Sequence, residues 1–248
     1  MSLSAADAPV AAADVFAALE ATWPPARWHD VPGWRVAEGR GGGKRVSAAH
    51  ATAPDADIPA MERAQARLSQ PPLAMVLPGQ EALDAALDAA GYAVIDPTVA
   101  LAAPVAALCA PLPRLTAFEV AWPPLRVQAE LWAAGGIGPG RLDVMARAGP
   151  DRLCLLGRME DRPAGTAFLA RHGDIAMVHA LEVAPPMRRR GLARHLMTAA
   201  ARWAAAREAT HLAVLVTRAN APALALYRGL GMAEVAGYHY RGREEETP

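Results

Sequence analysis

The stretch VAPPMRRRGLAR (residues 183–194) decides how this sequence reads. It joins an apolar, strand-like segment, 174–184, to a long helical pattern, 191–207, in which Leu192, Leu196, Ala199 and Trp203 recur at helical spacing. Pro185 and Pro186 stop the strand, since proline has no N–H to give to a ladder. Gly191 permits backbone geometry that a side chain obstructs. The first N–H groups of a helix have no partner within it and sit at the positive end of its dipole, so such a junction is an anion site. Arg188, Arg189, Arg190 and Arg194 surround it with positive charge. A pyrophosphate is the natural ligand, although the same features also describe a solvated basic helix end.

The neighbouring segments fall into a regular order. Residues 115–122 read as a strand, 124–134 as a helix with Leu125, Val127 and Leu131 on one side, 135–140 as a loop, and 141–148 as a short helix. Three strands follow, 152–159, 165–171 and 174–184, separated by turns short enough for antiparallel hairpins. After the long helix come a strand at 211–217, a helix at 221–230 and a last strand at 232–241. Asn220 suits an N-cap, Pro222 fits the first turn, and Tyr227 lies two helical turns beyond Asn220 on the same face.

Three pieces in this order resemble the core of the GNAT superfamily of N-acetyltransferases. They are Val-x-Pro-x-x-Arg-x-x-Gly-x-Ala at 183–193, Asn-x-x-Ala-x-x-x-Tyr at 220–227, and LGM at 230–232. Ala193 stands where the phosphate loop usually has a second glycine. The resemblance covers about 115–241 and implies acetyl-CoA as donor. It further implies that the strand ending at Val183 splays from the one ending at Thr217, exposing an edge around Leu181 and Val183 for the pantetheine arm. The pyrophosphate then rests on the N–H groups of Arg189, Arg190, Gly191, Leu192, Ala193 and Arg194, beside Arg188. Asn220 holds the pantetheine side and Tyr227 reaches the thioester sulfur.

Acetyl transfer to an amine needs a base for the amine and an acid for the departing thiolate. Tyr227 suits the acid role, since a phenol with a reference pKa of about 10 stays protonated near neutrality. For the base the candidates are His179 and Glu182. Strand alternation from Ile175 places His179 with Met177, Leu181 and Val183, and Glu182 on the other side. His179 lies nine residues before Arg188, a spacing at which arylalkylamine N-acetyltransferases use a histidine in proton removal. Glu182 serves instead through a water, or braces the strand. Leu215 stands where N-terminal acetyltransferases of ribosomal proteins tend to carry a glutamate, which disfavours a protein N-terminus as acceptor. Trp122 and Trp132 flank the helix–loop region that lines the acceptor pocket in this superfamily, and core packing is the plainer use of both.

The first half reads as helix 14–22, a tryptophan-rich stretch 23–34, strands 34–37 and 45–49 around a glycine-rich turn, helix 61–68, strand 73–77, helix 81–90, and strands 92–95 and 99–102. Its glycine cluster GRGGGKR (39–45) is no phosphate loop: the pattern needs glycine where Glu38 stands and Ser or Thr where Arg45 stands. The expected architecture is therefore α/β (α+β). A mixed, mostly antiparallel GNAT-type sheet flanked by helices (115–248) follows a smaller α/β domain (1–102) and a proline-rich linker (103–114). The smaller domain reads as a degenerate GNAT-like copy without a cofactor loop.

The 248 residues carry 25 basic and 25 acidic side chains and no net charge, which argues against a general nucleic-acid coat. No apolar run approaches a membrane span, and 1–21 has no positively charged leader pattern, so a cytoplasmic protein is expected. Cys109 and Cys154 lack CxxC spacing and no HExxH is present, so neither a disulfide framework nor a metal is expected. An Arg-, Ala- and Pro-rich composition fits a GC-rich bacterial coding sequence. Three functions compete: an acetyl-CoA-dependent N-acetyltransferase acting on a primary amine of a small or amino-acid-like molecule, a non-catalytic acyl-CoA-binding or sensing module, and a nucleic-acid binder using the arginine cluster. The first accounts for most of the motifs. A monomer and a homodimer fit equally well.

Overall fold

The computed structural model describes residues 9–113 and 116–243. The acidic segment 244–246, expected to be a solvated tail, and the start of the strand expected at 115 lie outside them. The elements are α1 (Ala12–Thr22), β1 (Arg27–Val31), β2 (Trp34–Glu38), β3 (Ala49–Ala51), α2 (Ile58–Arg67), β4 (Leu73–Val76), α3 (Glu81–Ala89) and β5 (Ala93–Pro104). They continue with α4 (Val105–Leu108), β6 (Ala117–Val120), α5 (Arg126–Ala134), α6 (Pro139–Arg147), β7 (Arg152–Met159), β8 (Arg162–His172), β9 (Ile175–Val183), α7 (Leu192–Ala205), β10 (His211–Thr217), α8 (Ala221–Arg228) and β11 (Ala233–Gly242).

The chain folds as two compact units, and neither is a continuous segment. The first takes the described residues up to Pro24, then Ala100–Val216 and Asn220–Val235; the second takes Pro25–Val99, Thr217–Ala219 and the described residues from Ala236. The linear division at 103–114 is therefore corrected. Residues 103–108 are packed structure: Val105 and Leu108 are buried, and Val105 N–H donates to the Thr210 carbonyl at 2.8 Å. Three prolines in that stretch mimic a linker, yet Pro104 sits at a strand end, where it forfeits little.

In the first unit β7, β8 and β9 form an antiparallel meander, β6 pairs antiparallel with β7 across α5 and α6, and β10 joins β9 in parallel. The hairpins follow from the short turns, and the parallel step from the crossover through α7. One face of β7 and β8 is stripped to glycine at Gly157 and Gly165, where a Cβ would meet Leu192 at 3.1 and 3.2 Å. These gaps let α7 settle directly on the sheet, burying Leu192, Leu196, Met197, Ala200 and Trp203. On the strands' other face lie α1 and α5, both against β8 and β9.

The second unit repeats that scheme in miniature. Strands β1, β2 and β3 are antiparallel, β4 joins β3 in parallel after the crossover α2, and β11 pairs antiparallel with β4. Trp34, Val36, Ala49, Met61, Ala74, Val76, Leu83, Leu87 and Tyr92 form its core. Strand β1 was not anticipated, because its RWHDV run carries only Trp28 and Val31 as apolar residues. The tight turn into β2, with Gly33 at φ 76°, is the signal that marks it. The strand expected at 45–49 is instead a 3-10 turn at Lys44–Val46 with β3 beginning at Ala49. The two strands expected at 92–95 and 99–102 are one strand, β5. Its interior Pro97 gives up an N–H, but the Pro97 carbonyl accepts from Arg218 N–H at 2.7 Å.

Candidate active site

The site begins with a parting of strands. Strands β9 and β10 pair from Ile175 and His211 only as far as Val178 and Val214, and the remaining residues of β9 have no β10 partner. The reason lies in β9 itself. Phe168 of β8 faces His179, but Thr166 faces Glu182, so the one β8 residue between them, Ala167, stands against two on β9, Ala180 and Leu181, and the register breaks there. Ala180 takes a left-handed φ of 50° within this interval. Such a bulge adds one residue, bends the strand and reverses the alternation beyond it.

That reversal corrects one expectation. Directly paired residues share a face, and Phe168 and Thr166 are two apart, so His179 and Glu182 project on the same side. Val183, paired with Gly165, is on the other. Alternation counted from sequence alone cannot see an inserted residue whose only mark is an alanine.

His179 is only 3% exposed and is held by α1. Its Nε2 lies 2.9 Å from Thr22 Oγ1, and the Thr22 hydroxyl donates to the Ala18 carbonyl at 2.6 Å. A hydroxyl has one proton, so Thr22 accepts from the histidine and Nε2 carries hydrogen. The imidazole ring lies 4.9 Å from Trp23 and 6.2 Å from Phe168, centroid to centroid. Glu182 is half-buried, and its Oε1 accepts from Arg188 at 2.8 Å. Trp122 packs edge-on against Phe168 at 5.8 Å; Trp132 is fully buried and donates from Nε1 to the Ala180 carbonyl at 2.7 Å.

Past Val183 the chain makes a 3-10 turn at Pro185–Met187, and Arg189 (φ 63°) and Gly191 (φ 89°) turn it into α7. Gly191 caps α7 with no side-chain hydrogen bond, and a Cβ there would meet nothing within 4 Å. Among the described residues the N–H groups of Arg189, Arg190 and Gly191 find no acceptor. Those of Leu192, Ala193 and Arg194 precede the first bond of the helix, from His195 N–H to Gly191 O. The arginines divide their work. Arg188 donates to the Val183 carbonyl at 2.9 Å as well as to Glu182, Arg190 pairs with Glu160, and Arg194 donates to the Gly229 carbonyl at 3.1 Å. Arg189 is exposed and has no side-chain partner among the described residues.

Opposite, Asn220 Oδ1 accepts from Ala223 N–H at 3.2 Å and caps α8. Two turns on, Tyr227 is 7% exposed, and burial pushes its hydroxyl up to about 12. Its hydroxyl makes no hydrogen bond among the described residues. Leu181, half-buried, lies on the part of β9 that has left β10. An open glycine turn, a row of free N–H groups, a cationic rim and an unpaired strand edge together match the phosphates and amide-bearing arm of a coenzyme A thioester.

Residues 115–232 match the model of the acetyltransferase (GNAT) family. They form a GNAT acetyltransferase domain, and the protein is an acyltransferase. A search of curated proteins returned no match. Among solved structures, the chain resembles a GCN5-related N-acetyltransferase from Kribbella flavida at 20% identity and a TM-score of 0.72, with 95% of this chain and 96% of that one covered. It also resembles a GNAT-family protein from Novosphingobium aromaticivorans at 20% identity and a TM-score of 0.52, with 87% and 90% covered. A tandem GNAT protein from the clavulanic acid biosynthesis pathway matches at 15% identity and a TM-score of 0.53, with 73% and 66% covered. At these identities the likeness is one of fold, and in the first two matches it extends through the N-terminal half. Among the described residues no helix is long and apolar enough to cross a membrane.

Proposed function

We propose that the protein transfers the acetyl group of acetyl-CoA directly to a primary amine of a small or amino-acid-like molecule. The observation that carries this reading is the parting of β9 from β10 at Val178, between the open turn at Gly191 and the buried Tyr227. The free N–H groups of 189–194, with Arg189, hold the diphosphate, and the unpaired backbone of Leu181 and Val183 holds the pantetheine amides. When bound, acetyl-CoA supplies an activated acyl group with a thiolate leaving group.

Glu182 accepts the proton of the amine. It is half-buried on the face shared with His179, while His179 spends its Nε2–H on Thr22 and orders the wall beside it. Tyr227 donates a hydrogen bond to the departing thiolate. Full transfer from a hydroxyl at about 12 to a thiolate whose thiol sits near ~8.5 is uphill by roughly 5 kcal/mol, so charge stabilisation and not wholesale protonation is its contribution. The second unit binds no acetyl-CoA.

Tyr227→Phe tests the reading, since it keeps the ring and its packing. Stopped assays of thiol release should show kcat reduced about 100-fold with acetyl-CoA affinity by calorimetry unchanged. Full kcat would remove Tyr227 from the chemistry.

A further inference from the structure

The carboxylate of Glu182 does not stand free; it rests on the end of α5. Gly135, the residue that caps this helix, is so close that a Cβ there would lie 2.7 Å from Glu182 Cδ and Oε2. One turn earlier, Trp132 reaches the bulge from the same helix end, its Nε1–H on the Ala180 carbonyl at 2.7 Å. From the other side Arg188 holds Oε1 at 2.8 Å. Gly135 has a φ of −88°, which any residue adopts, so its lack of a side chain is not a backbone requirement. What the missing Cβ provides is room, and a carboxylate occupies it.

We infer that the last turn of α5 is a positioning element for Glu182: Trp132 fixes the bulge that turns the glutamate toward the His179 face, and Gly135 leaves the seat in which its carboxylate is held against Arg188. This rests on the proposed role of Glu182 as base. Gly135→Ala is a selective probe, because the atoms it displaces are the end of a flexible side chain and the backbone is unstrained. The fold survives while the carboxylate moves.

The test uses the full chain in two readouts. The first is the side-chain carboxyl ¹³C resonance of Glu182 in protein labelled at glutamate, identified by its loss in Glu182→Gln. Gly135→Ala should shift it, and Trp132→Phe, which removes the Nε1–H together with part of the buried ring, should shift it too. An unmoved resonance in a folded Gly135→Ala protein overturns the inference. The second is turnover of acetyl-CoA with 2-phenylethylamine, ethanolamine and glycine ethyl ester as probe amines. Gly135→Ala should lower kcat about tenfold with the acetyl-CoA KM within about twofold, and Gly135→Ala combined with Glu182→Gln should be no slower than Glu182→Gln alone, since both act through one group. Effects that multiply would make Gly135 merely structural and overturn the inference. A Glu182→Gln enzyme at full rate would instead defeat the base assignment, whatever the resonance does. If no probe amine reacts, the resonance decides.

Discussion

The two units contain the same strand-to-helix crossover with opposite chemistry at its turn. In the first unit β9 leads through 184–191 into α7; in the second β3 leads through 52–57 into α2. Each crossover joins a strand that is antiparallel to the one before it and parallel to the one after it. The first turn is basic, and its helix is capped by a glycine without a side-chain bond. The second, TAPDAD, is acidic, and Asp57 caps α2 by accepting from Ala60 N–H at 3.2 Å. A carboxylate thus already occupies the seat that the first unit leaves open to an anion. The next helices tell the same story. Gly91 and Gly231, at φ 82° and 83°, close α3 and α8, and Tyr92 N–H and Met232 N–H each bond back to a carbonyl five residues earlier. That carbonyl belongs to Tyr227 in one unit and to Leu87 in the other, so the hydroxyl has become an apolar core residue. The fold tolerates both versions, and the two units differ in the side chains at the turn and the helix.

The harshest way to break this contrast is to make the first turn resemble the second. Gly191→Glu puts a carboxylate on the open turn at a φ of 89°, where a side chain costs about 1 kcal/mol. Acetyl-CoA affinity should fall at least about 100-fold, roughly 3 kcal/mol, in a folded protein. Calorimetry on the wild type should give one site per chain and on the variant none. A site of undiminished affinity in the variant would mean that the turn at Gly191 is not where acetyl-CoA binds.

Alkaline stability sharpens the contrast between Tyr227 and Leu87. Burial raises the Tyr227 hydroxyl from 10.0 to about 12 in the folded state. The folded protein therefore binds more protons between these values than the unfolded chain does. The resulting stability, on the order of 3 kcal/mol at most, is complete below about pH 10 and is lost as pH rises through about 12. Tyr227→Phe should unfold less readily than wild type across that window in denaturant titrations. The same raised value means that Tyr227 adds no alkaline limb to the rate profile below about pH 10. A limb at pH 8 that disappears in Tyr227→Phe would contradict this.

A smaller effect tests the wall made by α1. Thr22→Val keeps the shape but leaves the buried Nε2–H of His179 without its acceptor, which should cost about 1–3 kcal/mol. Urea unfolding should show this loss with acetyl-CoA affinity unchanged; no loss would mean that the histidine finds another partner at no cost. The smallest effect compares the caps. Asp57→Ala and Asn220→Ala should each cost about 1 kcal/mol. Only Asn220→Ala should also weaken acetyl-CoA binding, and equal binding losses would erase the distinction between the two units.

Much of this was legible in the residues. The turn before α7, the spacing from Asn220 to Tyr227 and the strands at 152–159 and 211–217 follow from proline, glycine and alternation, which are local signals. What sequence hid is non-local. The bulge at Ala180 needs an extra residue counted against β8, and without that count Glu182 falls on the wrong face. Gly135 looks like any loop glycine until the carboxylate it accommodates is seen. Asp57 and Leu87 become informative only when β3 and α3 are recognised as counterparts of β9 and α8.

The division of the chain between the units also governs the order in which it can fold. Strand β11 pairs His239 with Val76 and Arg241 with Ala74, and Arg241 Nε and Nη1 bond Asp84 and Asp88 at 2.6 Å. On a ribosome, residues 25–99 emerge early yet wait for this strand, about 160 residues later, to close their sheet edge. Helix α1 emerges first of the described elements and waits for β8 and β9, about 150 residues behind it. Neither half can mature and guide the other, and closing such long loops is slow. Until Gly242 is free, β4 offers an open apolar edge, so the nascent protein should depend on chaperones more than its size suggests.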